Sequence, residues 1–498
     1  MAIWNWKTFT GISDDSFLAR QWEYLDCKNV DLVENSRYVD AQLSGNSLTE
    51  IWFSINSPII ACKDSSTYPV FATSNGTYIG FGTFDSSISD GWQTGAYLVE
   101  QIGTSTLPVT YWFKNWYIRQ QVYNGWGLTF NGSLVTTYIP TWIPTASCIG
   151  AGRIYFAVAN IIYIIDVTIT DPTTTLSQVK STTANSNIPF GSIIKYMFIY
   201  NDVMTVLATN WNSTVVYQLI ETTADVWKIR YYHTISGVTA IRWYGDKNNL
   251  YWFSKNAIYL SNGTSSEKVK TVWSYEGATT FATTSICDIQ DSIFKIADGT
   301  TLWEYGHKKP GYWAILRRHT RRLSITAMQG DIECNYSSPK AYATRLSQFT
   351  LYDNYEIVSM PYEAENFNSK KEGTGIRIWH MLPAYSLYTS TSILCSIDVQ
   401  VITDDMEQRG ITAFVTVASI TTPATGVAER FTDISISEIS TAIATAWYNP
   451  DFQYIKIKVK GNAWDPTFTT GNGTMYRKTP KFFWIELTHK EIRKWIPN

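Results

Sequence analysis

Residues 248–263 read NNLYWFSKNAIYLSNG, and the fold is decided by how this stretch is read. Leu250, Trp252 and Ser254 alternate with Tyr251 and Phe253, a Lys-Asn pair turns the chain, and Ala257, Ile258, Tyr259 and Leu260 carry it back. Two β-branched and aromatic runs around a short polar turn make a β-hairpin. Both faces are largely apolar, which suits a sheet packed between two others. The unit returns at 69–82 (PVFATSNGTYIGFG), 152–166 (GRIYFAVANIIYIID) and 292–306 (SIFKIADGTTLWEYG).

The turn before each second run (Gly76, Gly132, Asn160, Ser213, Asn256, Gly299) recurs at intervals of 56, 28, 53, 43 and 43 residues. The mean matches a four-stranded propeller blade of roughly 40 to 50 residues. A sandwich with long hairpins leaves similar marks, but radial repetition also explains how so many hairpins avoid long exposed edges. The expectation is a propeller of five to seven blades.

Composition agrees with an all-β chain. Aromatics make up 15% of the 498 residues and charged residues only 16%, and this is the side-chain stock of pleated sheets. A net charge of −2 supplies no broad positive surface for sequence-independent nucleic-acid binding. Cys27, Cys62, Cys148, Cys287, Cys334 and Cys395 never come within four residues of one another, which excludes a CxxC pair and suggests buried thiols. The Asn-x-Ser/Thr triplets at Asn75, Asn131, Asn212, Asn262 and Asn472 read as turn chemistry rather than glycan acceptors. No basic stretch followed by an apolar run opens the chain and no apolar run reaches membrane-spanning length, so neither a signal peptide nor a membrane span is expected.

Four regions are expected: an N-terminal segment (1–44), the propeller-like domain (45–335), a connecting linker (336–375) and a C-terminal antiparallel β-sandwich (376–498). The sandwich strands include YIKIKVKG (454–461), where Lys456, Lys458 and Lys460 alternate with Ile455, Ile457 and Val459. One helix is predicted: Ser435 and Glu438 form a capping box before Ile439, Ile443 and Trp447, and Asn449-Pro450 ends it.

The sequence offers little chemistry. It has no phosphate loop, no GxSxG elbow, and no paired spacing among His233, His307, His319, His380 and His489 that sets two imidazoles on one metal. Asp225, Asp246 and Glu304 lie beside aromatics, where a propeller glycosidase could hold its carboxylates, but acids at strand ends are common in aromatic-rich β proteins. The reading is a non-enzyme without cofactor or metal.

The densest charge is AILRRHTRRLSI, with Arg317, Arg318, Arg321 and Arg322 around His319. In a strand these arginines point to both faces, which predicts an exposed loop, an edge or an interface. Two readings stand: an acid-pairing contact between domains or subunits, or a ring of arginines facing a DNA backbone when copies assemble around an axis. A second basic run, YRKTPKFFW (476–484), reads as edge-strand protection or as part of the same subunit contact.

The opening FTGISDDSFLARQWEYLDCKNVDLVE, with Asn29-Val30-Asp31, the hairpin-rich middle and the closing pair YIKIKVKG and KFFWIEL are similar in layout to the propeller-bearing tail nozzle or DNA-stabilisation (tail hub) proteins of short-tailed bacteriophages. The family's usual second opening glycine is replaced by Thr10 before Gly11. The resemblance implies a virion structural protein, assembled in the host cytoplasm as a ring of six copies. Its partners would be other tail or adaptor proteins, and its contact with double-stranded DNA transient as the genome is retained and then passed. The alternative is a glycan- or receptor-binding tail protein, with or without carbohydrate-cleaving activity, whose exposed Trp and Tyr stack on sugar rings.

Overall fold

The computed structural model describes residues 2–6, 24–33, 38–41, 43–45, 49–51, 58–63, 70–74, 78–85, 93–94, 98–101, 111–113, 116–120, 126–130, 133–136, 145–150, 153–166, 180–181, 188–224, 226–246, 249–262, 264–274, 277–278, 280–306, 315–321, 323–338, 340–345, 351–352, 355–362, 371–381, 396–421, 429–462 and 481–491. Seven antiparallel blades follow one another. In the first, Ile59–Lys63, Val70–Ser74 and Tyr78–Asp85 are joined by an outer strand in two pieces, Gln93–Thr94 and Leu98–Gln101. The second begins at Tyr111–Phe113, the third at Ala146–Gly150, the fourth at Ile193–Tyr200, the fifth at Arg242–Asp246 and the sixth at Ile286–Gln290. The seventh comprises Ser324–Gln329, Ile332–Ser337 and Lys340–Arg345, and Thr49–Ile51, from before the first blade, supplies its outer strand. Its innermost strand adjoins that of the first blade, which sets the last blade of the series against the first.

Burial on both faces is what makes these segments blades. One cluster joins the third and fourth blades (Tyr155, Ile164, Met197, Val206, Trp227) and another the fourth and fifth (Leu207, Val216, Leu250, Trp252). Ala297, Leu302 and Ile325 join the sixth and seventh. The closing seam is filled by small residues, Cys62 of the first blade against Ala327, Cys334, Ala341 and Ala343 of the seventh. Hairpin turns take the left-handed conformation of tight two-residue loops, as at Asn201 and Asp202 (φ 48° and 59°) and at Asp291 and Ser292 (φ 49° and 65°).

All four quoted hairpins are the second and third strands of their blades. The irregular intervals trace to Gly132, which lies between the third and fourth strands of the second blade. The second and third strands of that blade end at Gln120 and begin at Trp126, so the equivalent marker belongs between them. Asn262 is turn chemistry as expected, its Oδ1 accepting from the Thr264 and Ser265 amides at 3.0 and 2.9 Å. Cys27, Cys62 and Cys334 are buried, Cys148 and Cys287 half-buried, and all five are free; Cys395 lies outside the described residues.

The domain boundaries need correction. Residues 1–44 are not a separate segment: Ala2–Trp6, Val30–Val33 and Tyr38–Ala41 join a sheet with Lys481–Glu491, Lys371–Met381 and Glu429–Ile434. Tyr24–Lys28 joins the facing sheet beside Tyr355–Ser359, Ile455–Asn462, Ser396–Thr403 and Val415–Thr421. The sandwich is therefore built from both ends of the chain, and the propeller is an insertion in it. Leu43–Gly45 on the way in pairs with Leu351–Tyr352 on the way out. Residue 335 lies inside a blade strand, and the described residues of 336–375 carry five strands or parts of strands rather than a linker.

Within the sandwich, Ile357, Ile376, Ile397, Val399, Ile457 and Leu487 fill the layer between sheets. Lys456 and Lys458 occupy the other face of their strand, paired with Glu407 and Glu356 at 2.7 and 2.9 Å. Lys481–Glu491 lies inside its sheet and protects no edge, and 476–480 lies outside the described residues. The helix forms at Ile436–Thr445 with the capping box complete and Ile439 and Ile443 buried. Trp447 does not extend its apolar face. It follows the last turn at φ 67°, 89% exposed, while the Trp447 and Tyr448 amides donate to Ala444 and Ile443 in a Schellman cap. No helix among the described residues is long and apolar enough to cross a membrane.

The seam predicts its own sensitivity. Ala343→Leu inserts three carbons where Cys62, Ala327 and Ala341 leave no space, and is expected to cost about 1–3 kcal/mol. Urea denaturation reads this directly, and an unchanged midpoint would mean that the seventh blade does not seat on the first.

Candidate functional sites

The arginine cluster is strand, not loop. Ile315–Thr320 is the outer strand of the sixth blade, with Arg317 opposite Glu304, Arg318 opposite Trp303 and His319 opposite Leu302. The alternation holds as predicted, but acids meet the arginines on both faces. Toward the seventh blade, Arg317 Nε donates to Glu304 Oε2 at 2.7 Å, and His319 Nε2 lies 3.0 Å from the same oxygen. On the opposite face Arg318 Nε donates to Asp26 Oδ1 at 2.8 Å, with a second bond from its terminal nitrogen to Oδ2. Arg321 Nε reaches both carboxylate oxygens of Glu333 in the seventh blade, at 3.0 and 2.9 Å. Arg318, His319 and Arg321 are buried, so none faces a channel, and Arg322 lies outside the described residues. Of the exposed loop, edge or interface expected for this segment, the exposed loop is corrected: it is a strand whose arginines meet acids of its own blade, the sandwich and the seventh blade. The acids arrive from strands at 24–28, 301–306 and 332–337, two of which no local reading of 315–322 could bring there.

The electrostatics follow from burial and partners. Burial alone would raise the Glu304 carboxyl, but Arg317, then His319 and Lys295, outweigh it and hold it well below the usual range. Burial lowers the His319 imidazole, so the ring is neutral near pH 7 and donates from Nε2; Arg317 supplies the charge that keeps Glu304 ionised. Asp26 goes the other way, because burial raises it more than Arg318 lowers it. Removing Arg318 therefore strands an acid in the interior. Arg318→Ala is expected to cost about 3–5 kcal/mol, while the isosteric apolar pair Asp26→Leu with Arg318→Leu recovers most of it. A double variant as unstable as the single one, by urea denaturation, would refute this account.

Asp288, on the innermost strand of the same blade, is pushed up to about 6 by burial, although the Gly330 amide donates to its Oδ2 at 2.6 Å. Its folded value lies above its unfolded one, so the folded state holds the extra proton and stability falls as pH rises from about 4 through 6. Asp288→Asn keeps an acceptor for Gly330 and removes the ionisation. The variant should match the parent at pH 4 and exceed it by about 3 kcal/mol at pH 8. Denaturation midpoints at the two pH values check this, and an equal gap at both contradicts it.

A second region was not foreseen from the sequence. At one end of the fourth blade, Phe190 before the first strand and Trp211 in the turn between the second and third are 96% and 94% exposed. Beside them opens a pocket of about 1030 Å³ lined by Pro189, Asn210, Trp211, Asn212, Tyr217 and Tyr232 among others. Tyr217 and Tyr232 sit opposite each other on adjacent strands with ring centroids 6.1 Å apart. Lys228 is the one charged residue among the described lining residues. Trp211 has φ 52°, a conformation that favours glycine or asparagine. The sequence signal is therefore a tryptophan between Asn210 and Asn212 at a position that calls for neither bulk nor apolarity.

Among the described residues no group of His, Cys, Asp and Glu could hold a metal ion. Of the acids considered for catalysis, Glu304 is taken by Arg317 and His319, Asp246 ends the first strand of the fifth blade, and Asp225 lies outside the described residues.

No family model matches the chain, and no curated protein matches it. Solved structures resemble it only in fold. The Pan2 WD40 domain of Neurospora crassa superposes with a TM-score of 0.40 at 9% identity, over 58% of this chain and 88% of that one. Sqt1 of Saccharomyces cerevisiae gives 0.41 at 11%, over 64% and 96%. The extracellular domain of the putative one-component system BT4673 of B. thetaiotaomicron gives 0.41 at 10%, over 81% and 60%.

Proposed function

We propose that this chain is a structural subunit of a short bacteriophage tail, a nozzle or hub protein that assembles as a ring and retains and then passes the genome. The observation that carries the reading is how its charge is used. In the dense basic cluster, Arg318 fixes the propeller to the sandwich through Asp26, Arg321 fixes the sixth blade to the seventh through Glu333, and Arg317 is held within its own blade by Glu304. That arrangement suits a part that transmits force between rigid bodies. The layout shared with the nozzle and hub family supplies the phage context: its opening strand at 24–28 is the one that carries Asp26.

The arginines at 317, 318 and 321 drop out as a DNA-facing surface, so contact with double-stranded DNA in this reading is weak and transient. A net charge of −2 favours a conduit that does not grip its cargo. The partners are further copies of the chain and neighbouring tail or adaptor proteins, and the location is the virion.

The test is negative-stain imaging with solution mass, on the protein alone and with its adaptor. Rings of about six subunits around a central hole are the expected result. A monomer or a compact trimer under both conditions would overturn the proposal.

A further inference from the structure

We infer that the pocket at the end of the fourth blade is a binding site for a short oligosaccharide, with Trp211 and Tyr232 as stacking platforms. The proposal does not depend on the ring reading, and either can fail alone.

Strain and exposure occur at the same residue. A bulky side chain in the left-handed region carries a conformational cost that Gly or Asn would largely avoid. Trp211 accepts that cost at φ 52° and buries almost nothing in return, being 94% exposed. Among the described residues, the other left-handed hairpin-turn residues are small or polar (Ala159, Asn201, Asp202, Asp291 and Ser292), and the other left-handed tryptophan, Trp447, closes a helix rather than a hairpin. Packing therefore does not explain Trp211, and a strained exposed residue beside a pocket points to a ligand.

The lining identifies the ligand class. Aromatic rings combined with amides and hydroxyls suit a pyranose, whose C–H face lies on a ring while its equatorial hydroxyls exchange hydrogen bonds at the edge. Asn210, Asn212, Ser213 and Thr234 supply donors and acceptors around Trp211, Tyr217 and Tyr232. Asn210, one of the lining residues, has a buried Oδ1 with no partner among the described residues. A volume of about 1030 Å³ exceeds what one sugar needs and lies at the upper end for small-molecule sites. With Lys228 as the one cation among the described lining residues, these do not form the positive groove that a nucleic-acid backbone requires.

The proposal is tested with maltohexaose, N-acetylchitohexaose and hexagalacturonate, by saturation-transfer NMR and by quenching of tryptophan fluorescence on the full chain. Saturable binding of at least one probe is expected. Trp211→Gly and Tyr232→Ala should each weaken it about tenfold or more, the loss of one stacked ring. Because glycine suits φ 52°, Trp211→Gly should melt no lower than the parent, which separates lost binding from lost fold. Trp447→Gly, at an equally exposed left-handed tryptophan on the sandwich, should leave binding unchanged. No binding of any probe overturns the site, as does binding that survives Trp211→Gly or is lost equally in Trp447→Gly.

Discussion

An arginine side chain can stay in the interior beside the sixth blade only because a carboxylate from the other end of the chain meets it. Arg318 and Asp26 are 292 residues apart in sequence and bonded through two nitrogens and two oxygens. The backbone supports the pair. The Asn29 amide donates to the Arg318 carbonyl at 3.0 Å, and the Thr320 amide to Asn29 Oδ1 at 2.8 Å, with Asn29 itself at φ 53°. Tyr24–Lys28 thereby meets the blade in parallel and the sandwich in antiparallel pairing, so one sheet runs through both bodies. A buried ion pair of this kind is weak evidence for net stability, since desolvation consumes most of the attraction. Its effect is on geometry: a misregistered strand would leave both charges unpaired.

This constraint accounts for the unusual order of the chain. The sandwich cannot be completed until the last strands have been made, because Lys481–Glu491 lies between the N-terminal strands and Lys371–Met381. The propeller likewise needs Thr49–Ile51 to finish its seventh blade. Each body thus borrows a strand from upstream of the propeller, and the paired connectors Leu43–Gly45 and Leu351–Tyr352 hold entry and exit together. The seventh blade thereby carries a fourth strand, Thr49–Ile51, outside Lys340–Arg345.

The hairpins were legible in the sequence because each is local: alternation, turn and return lie within about sixteen residues, where periodicity and turn chemistry act directly. The capping box at Ser435 was legible for the same reason. Whatever depended on distant pairing was not. The seventh blade lacked a turn marker and takes its fourth strand from residue 49 onward, so 336–375 was expected to be linker. The arginines at 317 and 318 were correctly read as facing opposite sides, and an acid-pairing contact between domains was one of the two readings. What the sequence could not show is that Asp26 and Glu333 come to meet them, and with them Arg318, His319 and Arg321 are buried.

The two exposed tryptophans sharpen the contrast between strain that builds the fold and strain that does not. Asn29 is also left-handed, yet it is buried and its side chain caps the joint between the two bodies, so its conformation is repaid within the fold. At Trp447 the left-handed backbone closes a Schellman cap, which explains the backbone but not the indole, since glycine would close it as well. At Trp211 the backbone turns a hairpin that Asn or Gly would turn more easily, and the indole stands beside a pocket with an unpartnered amide oxygen. Fold stability accounts for the first position and for half of the second. At the third neither the turn nor the packing calls for an indole, and the remaining physical reason for one lies outside the chain.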